Sequence, residues 1–151
     1  MIVALQKQYK IKEFNAVGHS MGNMSIVFYL LDHSSDSKLP KLAKQVDIAG
    51  HFNGILGMDD QANQMVLNSQ GKPQKMNANY KALLKLRTIY PKNQVKVLNI
   101  YGDRDDGSHS DGSVSNTSSQ SLRYLISDRT KSYKELKITG KDAQHSKLHE
   151  N

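Results

Sequence analysis

Cysteine is absent from the 151 residues, which removes disulfides, thiol nucleophiles and cysteine-ligated zinc from consideration. It leaves the redox compartment open, because a chain without thiols survives in either setting. Long apolar runs are missing too. The longest, Ile26–Leu31, has six residues, against the roughly 18 that suggest a membrane span, so no transmembrane segment is expected. The opening Met1-Ile-Val-Ala-Leu5 carries neither a basic start nor an apolar stretch of about 7–15 residues, so no signal peptide is legible. Arginine is scarce: Arg87, Arg104, Arg123 and Arg129 stand against seventeen lysines. A net charge of +7 and a pI of 9.5 would suit a polyanion. The lysines are scattered, however, and no zinc-finger spacing, RNP motif or unbroken basic run accompanies them. Nucleic acid is not an expected partner. The basic residues read as a solvated surface, open to anionic polymers or lipids.

What is present describes one α/β domain. With 37% hydrophobic and 23% charged residues the chain is too apolar for disorder and long enough for one core. Ile2, Leu5, Gln6 and Tyr9 suggest the end of an amphipathic helix. Short strands are predicted at 13–17, 45–49, 94–101 and 133–139, with Val95, Val97, Asn99 and Tyr101 sharing one side of the third. Residues 21–33 read as a buried helix, since Ile26, Phe28, Tyr29, Leu30 and Leu31 leave little polar surface. Further helical stripes follow at Tyr80–Arg87 and Leu122–Ile126, while 51–78 is irregular and 102–113 is a polar, acidic loop. Strands alternating with helices argue for a parallel sheet. No internal repeat or long low-complexity tract interrupts this.

Gly18-His19-Ser20-Met21-Gly22 has the Gly-x-Ser-x-Gly spacing of a nucleophile elbow, with a strand before it and an apolar helix after it. Such a turn lifts a serine hydroxyl clear of the sheet and places it at a helix amino terminus, where backbone N–H groups meet a developing oxyanion. Met21 N–H is the expected donor. Strand and helix close on each other around Gly18 and Gly22, so both are expected to be small for steric reasons. His19 reads as a packing or hydrogen-bonding residue, and His33, His51 and His109 as solvated or loop histidines. An EF-hand reading of Asp103-Arg-Asp-Asp-Gly107 fails, because the places that need an acid or Asn, Gly and Glu hold Gly107, Ser108 and Val114.

The elbow, together with Asn99-Ile-Tyr-Gly-Asp103, Ser110-Asp-Gly-Ser-Val114 and Ala143-Gln-His-Ser-Lys-Leu-His-Glu-Asn151, resembles the α/β-hydrolase superfamily. Within it the pattern is similar to α/β hydrolases of Gram-positive bacteria described as cell-surface hydrolases and related to lipases. The resemblance runs through almost the whole chain and implies a Ser, then Asp, then His order. Asp111, in a segment similar to the Asp-Gly-x-Val of bacterial lipases, is the expected acid, with Asp105 as the alternative. His145, in a His-x-x-Leu similar to theirs, is the expected base, with His149 as the alternative. The implied activity is hydrolysis of a small-molecule or lipid ester through an acyl-serine, without metal or cofactor.

In the superfamily the elbow follows a fifth strand, whereas here it begins at residue 18. The chain therefore reads as the carboxyl-terminal half of that sheet, truncated at both ends, without the loop that donates a second oxyanion N–H. An unpaired first strand would then offer an edge for self-association, and ester turnover would be weak. The alternative is a non-catalytic fragment or binding module with the same half-sheet. The sequence leaves the location unknown; the resemblance is compatible with the cell surface or secretion if an amino-terminal part is missing.

Overall fold

Every apolar stripe foreseen becomes an element in the computed structural model, which describes residues 2–150. In chain order the helices and strands are α1 (Ile2–Tyr9), β1 (Glu13–His19), α2 (Met21–His33), β2 (Lys41–Ile48), α3 (Ala78–Leu83), α4 (Leu86–Ile89), β3 (Lys96–Asp103), α5 (Asn116–Gln120), α6 (Leu122–Ile126) and β4 (Ser132–Thr139). The strands form one parallel sheet in the order β1-β2-β3-β4, so neighbours in the chain are neighbours in the sheet. Parallel neighbours require crossovers, and the helices supply them. This is an α/β fold, a parallel sheet flanked by helices.

The sheet's two faces differ. Leu42 and Val97 on one face join Met24, Val27 and Leu30 of α2, Tyr80 and Leu83 of α3, Leu86 of α4 and Leu122, Leu125 and Ile126 of α6 in the buried core. On the other face, register aligns Val17 with Val46, Val46 with Leu98, Ile48 with Ile100, and Ile100 with Leu136. None of these residues is buried, and Val17 is 68% exposed. The same one-sidedness corrects the reading of α2 as a buried helix. Its Asn23, Met24, Val27 and Leu30 are buried, yet Met21 and Phe28 are exposed, because among the described residues nothing packs on its outer face.

Several boundaries also move. β2 begins at Lys41, not Gln45: Leu42 is buried, but Lys41 and Lys44 on either side conceal the strand. The stripe at 80–87 divides into α3 and α4, with the Asn77 side chain capping α3 by accepting from Tyr80 N. Helix α5 was not foreseen. It is a run of serine, threonine and asparagine capped by Ser115, whose hydroxyl accepts from Ser118 N.

Candidate active site

Ser20 occupies the reversal between β1 and α2 with φ 51° and ψ −115°, a conformation that costs a non-glycine residue about 1–3 kcal/mol. Its surroundings hold it there. Ser20 N–H donates to Ile48 O at 2.9 Å, which extends the β1–β2 ladder through the turn. The Asn23 side chain, fully buried, donates through Nδ2 to Ser20 O at 3.0 Å and to Ile48 O at 2.7 Å. Asn23 therefore ties elbow, helix and neighbouring strand together. It was not singled out from the sequence, where its one signal is an amide on the apolar face of α2 beside Met24, Val27 and Leu30.

The glycines on either side of Ser20 are unequal. A methyl group at Gly18 would lie 2.6 Å from Asn23 Oδ1 and 2.8 Å from Asn23 N, closer than real contacts allow. At Gly22 it would meet no atom within 4 Å. The expectation that both must be small holds for Gly18 and fails for Gly22, which lies in the first turn of α2 with open space around it. Met21, exposed at the start of the 13-residue helix α2, presents its N–H at the positive end of the helix dipole.

The acidic loop after β3 folds Asp111 inward until it is 1% exposed. Its Oδ1 accepts from Ser113 N at 2.9 Å and Val114 N at 2.7 Å, and Val114 is buried beneath it. Its Oδ2 faces His145 Nδ1 at 2.7 Å. A carboxylate there makes Nδ1 the protonated nitrogen, so Nε2 carries the lone pair and accepts from Ser20 Oγ–H at 3.0 Å. The His145 main chain is bonded at both ends as well. Its N–H donates to Asp111 O at 3.0 Å, and its carbonyl accepts from His19 Nε2 at 2.8 Å. The turn carrying His145 sits on Gly102, where a side chain would collide with Ala143 O and with Leu148, whose buried side chain ends the His-x-x-Leu run.

Ser20, Asp111 and His145 thus come together, and the alternatives do not. Asp105 is exposed, with positive φ, and its N–H bonds to Asp103 instead. His149 is exposed and meets His19, ring centroids 4.5 Å apart. His51 is only partly solvated, and burial first, then the nearby His145, push its pKa below the ordinary histidine value. His109 lies 3.4 Å from buried Asp103, which also receives Lys137 Nζ at 2.7 Å and Asn116 Nδ2 at 3.0 Å. Burial works to raise the Asp103 pKa, but these donors and the Asp105 N–H outweigh it and hold it at about 2.

Among the described residues no cluster of three His, Cys, Asp or Glu is placed to hold a metal ion, and no helix is long and apolar enough to cross a membrane. A hydroxyl bonded to an imidazole that is itself oriented by a carboxylate can act as an activated nucleophile.

Comparison with known proteins bears on the fold and the family. A gene product (lin2722) from Listeria innocua superposes with a TM-score of 0.82 at 26% identity, over 99% of this chain and 57% of its own. A proposed cell surface hydrolase from Lactobacillus plantarum WCFS1 gives a TM-score of 0.69 at 25% identity, over 91% of this chain and 48% of its own. The chain therefore spans about half the length of the solved structures it resembles. No curated protein matches it. A family described as alpha/beta hydrolases of unknown function (DUF915) matches residues 1–151, and the chain belongs to that α/β-hydrolase family.

Proposed function

We propose that the protein hydrolyses carboxylic esters, small-molecule or lipid, with Ser20 as nucleophile, His145 as general base and Asp111 as the carboxylate that orients the base. The observation that carries this reading is the continuous hydrogen-bonded run from Ser20 Oγ through His145 to Asp111, at 3.0 and 2.7 Å. Ser20 Oγ attacks the ester carbonyl as its proton passes to His145 Nε2, and Asp111 stabilises the imidazolium. The oxyanion so formed meets Met21 N–H at the amino end of α2. Collapse breaks the ester C–O bond and the alcohol leaves with the proton from His145. Water, deprotonated by His145, then attacks the acyl-serine and releases the acid. The family, and the hydrolase so named from Lactobacillus plantarum, support hydrolysis as the reaction class.

A non-catalytic module of the same fold is the second reading, favoured by the span of about half a relative's length and by a single expected oxyanion donor. Loss of one such donor costs about 10²–10³ in rate. Hydrolysis of a short-chain nitrophenyl ester separates the two. Slow turnover that Ser20→Ala abolishes supports the enzyme, and turnover that Ser20→Ala leaves unchanged refutes it in favour of the module.

A further inference from the structure

We propose that His19 is a positioning residue for His145, an inference that rests on the role just assigned to His145 as base. His19 is the last residue of β1 and precedes Ser20 directly. Strand alternation puts it on the face of Val17, opposite the side of Gly18 that packs on Asn23, and so toward the turn that carries His145. Its Nε2 lies 2.8 Å from His145 O across 126 positions of sequence. A carbonyl oxygen only accepts, so this nitrogen must carry hydrogen, and the bond fixes the His19 ring as the Nε2–H form or its protonated form. The ring also packs against His145 at 4.9 Å between centroids and against His149 at 4.5 Å.

The consequence lies in which groups each bond connects. His145 N–H is held by the main chain of Asp111, and His145 C=O is held by the residue adjoining Ser20. The first tie sets the distance from base to acid, and the second sets the distance from base to nucleophile. Between Gln144 and Glu150 the main chain also makes local turn bonds, Lys147 N and Leu148 N donating to Gln144 O and Glu150 N to Lys147 O. Those bonds shape the turn without referring it to Ser20. Leu148 seats it on Gly102 of β3, two strands from Ser20. Beside the His145–Ser20 bond itself, His19 ties the main chain of the turn to the elbow. Because a misplacement of about 1 Å can cost 10² in rate, its loss should act on chemistry and not on substrate binding.

The test uses the full chain with a fluorophosphonate that labels Ser20. His19→Ala should lower the maximal labelling rate by about 10- to 100-fold at an unchanged half-saturating probe concentration. His19→Gln, whose amide can donate to the same carbonyl, should restore most of that rate. A maximal rate unchanged in His19→Ala, or equally low in both variants, overturns the proposal. Proton NMR of unlabelled protein reads the positioning apart from reactivity. The downfield ring N–H signal of His145 bonded to Asp111, identified by its loss in Asp111→Asn, should broaden or vanish in His19→Ala and return in His19→Gln. If the wild type does not label while the signal follows this pattern, the ester-hydrolase reading fails and the positioning role stands. A signal indifferent to His19→Ala removes the positioning role whatever the labelling.

Discussion

A methyl group at Gly18 collides with Asn23, which is buried and bonded to both Ser20 O and Ile48 O, while one at Gly22 enters open space. Gly18→Ala should therefore cost about 1–3 kcal/mol, typical of overpacking, and loosen the elbow. Gly22→Ala should be neutral or gain up to about 1 kcal/mol from helix propensity. Thermal melts of the two variants check this, with about 2–4 °C expected per kcal/mol in a chain of this size. Asp47 makes a prediction of another kind. It is buried in β2 with both oxygens accepting from Gln45 Nε2, and Tyr90 OH donates to Gln45 Oε1. Burial raises its pKa to about 7 from an ordinary 3.8, and the Gln45 bond only partly opposes it. The folded state thus binds this proton more firmly than the unfolded chain. Its contribution to stability is complete below about pH 4 and is lost as pH rises through 7. Asp47→Asn should accordingly melt higher than wild type at pH 8, with the advantage fading toward pH 4.

At the level of elements, legibility followed the physical origin of each. Strand β3 was readable because Val97, Asn99 and Tyr101 alternate on one buried face, and α2 because its apolar residues are dense. The triad candidates were readable because an elbow, an acidic loop and a terminal histidine turn each leave a local pattern. Helix α5 left none. Ser118 and Ser119 are buried, but they are satisfied by long-range bonds, Ser118 Oγ donating to Gly54 O at 2.8 Å and Ser119 Oγ to Gly50 O at 2.8 Å. Composition assigns those residues to no element, because nothing local says where their hydroxyls go. The same applies to Asn23 and His19, whose partners are 25 and 126 residues away. Ser118 also accepts from Asn53 N at 3.2 Å, so α5 pins the irregular 51–78 segment to the core. Ser118→Ala leaves that N–H and the Gly54 carbonyl without partners, and should cost about 1–3 kcal/mol. Denaturant unfolding measures the loss, and hydrogen exchange should show it concentrated at Asn53 and Gly54.

The whole molecule is a half-clad sheet. Helices cover one face, while Val17, Val46, Ile48, Leu98, Ile100 and Leu136 on the other remain partly or largely exposed, and β1 is an edge strand among the described residues. An apolar face beside an unpaired edge favours association, which the +7 charge opposes. Sedimentation at low and high salt should show species larger than the monomer, increasing as salt screens the charge, and Val17→Lys should reduce them. A sharply melting monomer at all salt concentrations would contradict this. None of it displaces the arrangement at the carboxyl ends of β1 and β3, where a strained serine, a histidine and a buried aspartate meet. Fluorophosphonate labelling followed by peptide mass mapping tests that arrangement most directly. The account predicts one adduct, on Ser20, lost in Ser20→Ala and nearly lost in His145→Ala; an unlabelled wild type, or an adduct that survives Ser20→Ala, would contradict it.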